Sequence, residues 1–190
     1  MRKLFAALIV SMGTMVPAWA GNFVVDKDHA QVTFSADHLG FSTVHGQFRE
    51  FEADIDFYPG NIEATRVMFV IDSASVDTLS KARDKSLRSK NFLNSDAYPN
   101  ITFQTTSVVP TGTDTADITG DLTIIGVTQP ITMQARLNKY GPSPFDPKKV
   151  IAGFTISGEI DRRAFGMSFA APAVGAVIPI RIDLEMSPAS

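Results

Sequence analysis

Three histidines, His29, His38 and His45, crowd into the first quarter of the chain, and such a cluster first raises the question of a metal site. Alternation argues against it. His29 and His45 fall on different strand segments, His38 belongs to a His38-Leu39-Gly40 turn, and no Asp or Glu stands at a spacing that completes a ligand set. No metal site is read from them, and hydrogen bonding within turns is their expected role. The chain has no Cys, which removes thiol catalysis, disulfides and Cys-based metal sites. Ser, His and Asp occur without a Gly-x-Ser-x-Gly elbow, and Gly153, Gly166 and Gly175 are isolated rather than grouped as a phosphate loop. No catalytic residue is nominated and no cofactor is required. Two arginines offer another chemistry. Arg83 and Arg162 are cations able to hold an anionic or hydrogen-bond-accepting group, with ion pairing to the adjacent Asp84 and Asp161 as the competing use.

The elements that would position these residues alternate with period two. His29–Ala36 places Val32, Phe34 and Ala36 on one face; Val44–Tyr58 continues with Val44, Gly46 and Phe48, then Phe51, Ala53, Ile55 and Phe57. The parity slips between Phe48 and Phe51, so a bulge is expected near Arg49-Glu50, bending the strand while keeping both sets on one face. Six further alternating segments run over Thr65–Val76, Ile101–Val109, Ala116–Ile125, Ile131–Tyr140, Val150–Ile160 and Val177–Met186. About eight strands with short separators, at Tyr58–Asn61, Thr111–Asp114 and Gly126–Pro130, predict an antiparallel sheet closed into a barrel that can enclose one small ligand. One segment, Leu79–Leu93, has helical spacing and predicts a helix of about three turns with Asp77 as N-cap, directing Leu79, Ala82 and Leu87 to the barrel and Lys81, Lys85 and Arg88 to solvent. That helix is a candidate lid.

Arg2-Lys3, the apolar run Leu4–Val10 and the small-residue triplet Ala18-Trp19-Ala20 read as a cleavable signal peptide over residues 1–20, leaving one domain, 21–190. Export to the periplasm is the expectation. The net charge of −3, more negative still without Arg2 and Lys3, makes nucleic acid an unsuitable partner. Fourteen Phe require a large apolar interior.

Several collinear stretches add a resemblance: Asp28-His29 with Val32 and Phe34, His38–Phe48, Arg83-Asp84 with Leu87-Arg88-Ser89, Asn91–Phe103, Thr119–Pro130, Arg162 with Phe165-Gly166-Met167, and Val177–Glu185. Over Phe23–Met186 the chain resembles the YceI-like family of secreted lipid-binding barrels. The resemblance implies an all-β fold with a minor helix: an extended antiparallel lipocalin-like barrel with an internal apolar tunnel for an isoprenoid or other long-chain lipid, polyprenyl or ubiquinone-like. Ser86, Ile125 and Asp161 stand where family members commonly carry His, His and Asn, so this chain would offer no imidazole there.

On the one-face sets, the residues expected to line such a tunnel are Val32, Phe34, Phe48, Phe69, Phe103, Leu122, Ile124, Met133, Phe154 and Ile156, with Phe92, Tyr98, Phe165, Met167 and Phe169 near an end. Met133 and Met167 would adapt to a curved chain, and Arg83 and Arg162 would meet a head group. Transient contact with a membrane or membrane enzyme, and pairing of two chains through an edge strand, are the other partners considered. Two other readings stand beside the carrier: an enzyme acting on a small lipid or quinone, and a barrel with a filled core whose outer surface binds protein.

Overall fold

The computed structural model describes residues 21–189; the expected leader, 1–20, lies outside them. Ten strands form one antiparallel sheet. They are β1 (Gly21–His38), β2 (Ser42–Phe48), β3 (Phe51–Phe57), β4 (Arg66–Asp72), β5 (Val76–Asp77), β6 (Asn100–Pro110), β7 (Thr115–Ile124), β8 (Val127–Pro142), β9 (Val150–Asp161) and β10 (Val177–Pro188), with the helix α1 (Lys81–Arg88) between β5 and β6.

Register reduces the ten to the eight expected. One edge of β1 pairs with β2 over Val32–His38 and with β3 over Gly21–Phe23, so β2 and β3 are two halves of one long strand. Likewise β4 pairs with β3 and β5 with β2. The remaining strands follow as a meander, and β10 returns to the other edge of β1, closing the barrel. Closure satisfies nearly every strand edge; one open stretch is Ser42–Gly46 of β2, beyond the point where β5 ends.

The bend falls at Arg49-Glu50, as the parity slip requires. There the Arg49 N–H donates to the Ser75 carbonyl and the Asp72 N–H to that of Glu50, so both long strands turn a corner together. Phe48 and Phe51 consequently both point inward, Phe48 onto the inner wall and Phe51 stacked on Phe69 with ring centroids 5.0 Å apart. Register shifts between Asp26 and Gln31, Thr105 and Ser107, and Leu137 and Lys139 add the curvature that closure needs.

Several boundaries differ from the sequence expectation, and β1 starts at Gly21 rather than His29 because its first residues pair with β3 and β10. The helix is only Lys81–Arg88, because the chain turns back at Ser89 to bury Leu93, whose N–H donates to the Leu87 carbonyl. Its N-cap position is Ser80, while the Asp77 side chain accepts from the Leu79 N–H and pairs with Arg49. Leu79, expected to face the barrel, is 90% exposed, and Ala82 is exposed as well. The β7–β8 turn is the pair Ile125-Gly126 alone, with φ of 44° and 77°, the two-residue hairpin geometry in which both residues are left-handed. Val127–Pro130 therefore belongs to β8.

Candidate functional site

The barrel is hollow. Its inward side chains leave a cavity of about 260 Å³, larger than the roughly 150 Å³ void that stays dry and admits a benzene-sized guest. Apart from Thr33, Thr65 and Arg162 the wall is apolar. One end is closed: Phe57 of β3 reaches across to Phe154 of β9, with centroids 5.2 Å apart and edge to face, and Phe23 and Tyr140 pack on Phe57 behind it. At the other end Leu87 of α1, Phe92, Leu93, Met167 and Val174 contribute from the segments that follow β5 and β9.

The openness has a local cause in glycine. A Cβ on Gly46 would lie 2.3 Å from the tip of the Phe34 ring, and one on Gly120 would lie 2.4 Å from that of Phe103. Both rings therefore lie down on a bare stretch of the neighbouring strand instead of projecting toward the barrel axis. Met133 sits against Gly158 in the same way, 3.0 Å from its Cβ position. The large residues line the wall rather than fill the core.

Of the residues expected on the tunnel, Val32, Phe34, Phe48, Phe69, Phe92, Phe103, Leu122, Ile124, Met133, Phe154, Ile156 and Met167 all lie on the cavity wall. Three do not. Phe165 is 2% exposed and packed into the core beside Met167; Phe169 is 53% exposed and meets Phe92 edge to face from outside; Tyr98 is exposed and covers Gly126. Their positions follow from the loops, whose side chains alternation does not orient. Conversely, Ile178, Ile180, Ile182, Leu184 and Met186 of β10 line the cavity and were not singled out, although their strict alternation is the same signal that marked the others.

The two arginines part company. Arg162 is 4% exposed and lies on the cavity wall; its guanidinium donates to the carbonyls of Gly175 (2.9 Å), Val174 (2.9 Å) and Met167, and stands 5.8 Å from the centre of the Phe92 ring. Asp161 acts on it only through its field, because that carboxylate is hydrogen-bonded by Arg163, which holds its pKa down at about 2. Burial accordingly pushes the Arg162 guanidinium below its ordinary value, although an arginine remains a cation. Arg83 is exposed and off the wall: it donates to the hydroxyl and carbonyl of Thr78, both at 2.7 Å, so its head-group role gives way to a structural one. The histidines are dispersed. His29 is hydrogen-bonded to Asp26, which raises the pKa of His29 and lowers that of Asp26, while His38 ends β1 and His45 is exposed on β2. Among the described residues no three His, Asp or Glu side chains gather as metal ligands.

This geometry has relatives. The YceI-like domain profile matches residues 23–186, nearly the whole barrel. The chain belongs to the YceI-like family. Protein YceI of Shigella flexneri is 42% identical over 165 residues, covering 86% of this chain and 83% of that protein, and Protein YceI of Salmonella agona is 40% identical over 166. Among solved structures, the Campylobacter jejuni YceI protein superimposes with a TM-score of 0.72 at 28% identity, covering 81% of this chain and 90% of the other. Burkholderia cenocepacia BcnA gives 0.75 at 23% identity over 85% and 98%. A Saccharophagus degradans domain described as polyisoprenoid-binding gives 0.65 at 13% identity over 89% and 99%, a likeness of fold alone.

The YceI-like pair Arg83-Asp84 now has a physical account. Asp84 is buried and accepts from both the N–H and the hydroxyl of Thr78, while Arg83 holds the other side of that residue, so the pair ties α1 to the end of β5. Asp84→Ala strands a buried N–H donor and is expected to cost about 1–3 kcal/mol of stability. Urea denaturation, with an unchanged m-value, checks it.

Proposed function

We propose that this protein carries one long-chain isoprenoid lipid, polyprenyl or ubiquinone-like, in the barrel lumen, and that it does so in the periplasm. The observation that carries the reading is the closed barrel with an apolar, unfilled interior. A filled core would have given a plain structural barrel, and a polar one would have called for a different guest.

The lumen sets the mode of binding. Each CH2 buried contributes about 0.8 kcal/mol, so a five-carbon isoprene unit supplies roughly 3–4 kcal/mol and a few units approach the practical ceiling of affinity. The charged side chain of the described wall, Arg162, lies at the end away from the Phe57–Phe154 floor. Among the described residues its guanidinium forms no ion pair with a carboxylate, and three bonds to carbonyls leave part of its donor capacity unused. An anionic or carbonyl-bearing head group suits that position, with the tail running toward the Phe57–Phe154 floor. The polyisoprenoid-binding description of the Saccharophagus degradans domain supports the choice of ligand class. The leader-like residues 1–20 support the compartment.

The test is native mass spectrometry, with organic extraction, of protein purified from the periplasm without detergent. A reproducible mass increment that extracts as an isoprenoid is expected. Protein that stays empty after incubation with added isoprenoids overturns the reading.

A further inference from the structure

Six of the ten large apolar side chains exposed among the described residues lie at one end of the barrel; the other four are Val24, Met68, Val109 and Phe145. Leu39, Phe41, Leu79, Tyr98, Phe169 and Val177 are all exposed, and all belong to the segments at the Arg162 end of the barrel. Phe41, 88% exposed, forms the tip of the β1–β2 turn. That turn is strapped to the loop before β10: the Leu39 N–H donates to the Ala173 carbonyl, and His38 bridges to Val174, itself a residue of the cavity wall. Phe169 stands edge to face with Phe92, 5.5 Å between centroids, and Phe92 lines the cavity, so apolar surface runs without a break from solvent to lumen. At the closed end Phe145 and Val109 are exposed above a sealed floor.

The same end is basic in an otherwise acidic protein. Between Lys81 and Lys90 the chain carries Lys81, Arg83, Lys85, Arg88 and Lys90 against the single buried Asp84, while its formal net charge is −3 overall. Lys81, Lys85 and Lys90 are exposed. Asp37 and Asp96 are exposed acids at this end, and Arg163 is neutralised by Asp161, so the excess of positive charge belongs to α1 and the turn after it. Two rim leucines also hold a left-handed backbone, Leu39 at φ 61° and Leu79 at φ 62°, a conformation that disfavours large side chains and presents both to solvent.

An apolar rim flanked by lysines fits one partner by its chemistry. We infer that the Arg162 end of the barrel docks on an anionic phospholipid bilayer, with Phe41, Leu79 and Phe169 entering the interface and the α1 lysines lying on the head groups. Exposed aromatic and aliphatic tips gain from the interfacial region, and each lysine gains from the negative surface potential. Docking this end seats the lumen against the acyl layer, so a lipid passes between membrane and barrel without crossing water. The inference rests on the lumen being a lipid site.

The test is flotation of the purified protein with vesicles of phosphatidylcholine alone and of phosphatidylcholine with phosphatidylglycerol. Binding to the anionic vesicles is expected, weakened by added salt. The charge reversals Lys81→Glu and Lys85→Glu together are expected to lower partitioning more than about tenfold, and Phe41→Ser to lower it severalfold. Both variants alter only exposed side chains, so a wild-type thermal transition accompanies the loss. Equal binding to neutral and anionic vesicles, or no binding, or wild-type binding by both variants, overturns docking. A native mass spectrum of the same preparation reads the lumen separately: internal lipid without vesicle binding removes the docking inference alone, and an empty lumen removes the carrier reading.

Discussion

Gly46→Leu is expected to lower the affinity of the barrel for a long-chain lipid by about 100-fold or more while leaving the fold intact. The three atoms nearest the Gly46 Cβ position all belong to the Phe34 ring, at 2.3, 2.8 and 2.9 Å. A side chain there lifts the ring off the wall and swings it into the lumen. The displaced ring has about as many carbons as one isoprene unit, and excluding that unit forfeits roughly 3–4 kcal/mol of burial. Gly120→Leu would be a poorer instrument, since its Cβ would also lie 2.5 Å from the Gln104 carbonyl oxygen and strain the β6–β7 ladder. Gly153→Ala, where nothing lies within 4 Å, is the matched control and should bind as wild type. Titration with a fluorescent long-chain lipid, alongside a thermal melt, checks the prediction: a folded Gly46→Leu protein that binds like Gly153→Ala would show that Phe34 does not govern the lumen.

The same glycines explain why the barrel was more legible in the sequence than its emptiness. Alternation gives each strand face directly, because the pleat enforces it. The slip between Phe48 and Phe51 places the bend because a single extra residue is the cheapest way to turn a strand. Whether an inward Phe meets another across the axis or lies on its neighbour is a matter of cross-strand register, and Phe34 opposite Gly46 becomes visible only once β1 and β2 are paired. Loops fail for a related reason. Phe165, Phe169 and Tyr98 lie outside the strands, so only the contacts made by Gly126, Phe92 and the core decide which way each ring turns. The helix over-ran because Leu87 and Leu93 both look inward from a helical spacing, whereas the chain meets that demand with two turns and a fold-back. Arg83 and Arg162 were equivalent as letters. Burial of one beside three carbonyls, and capture of the other by Thr78, separates them.

Arg162→Met is expected to destabilise the lipid-free protein by about 3 kcal/mol, a fall in Tm of roughly 6–12 °C for a domain of this size. Three carbonyls, of Met167, Val174 and Gly175, lose a charged donor at once, and with it the tie that folds the Met167–Gly175 loop over the lumen. Hydrogen exchange should rise at amides closing that loop, such as Val174, which donates to the Ala170 carbonyl, and Gly175, which donates to that of Asp37. Arg162→Lys keeps the charge without the fork, because one ammonium cannot replace a planar guanidinium across three separated acceptors; an intermediate loss is expected. The lysine variant also divides the two roles given to this side chain. If Arg162 only ties the loop, then both variants lose a polar-headed isoprenoid and a hydrocarbon of equal length in the same proportion. If it also meets the head group, the preference for the polar-headed lipid disappears in Arg162→Met and survives in part in Arg162→Lys. Competition between the two lipids, at a temperature where all three proteins are folded, reads that preference directly.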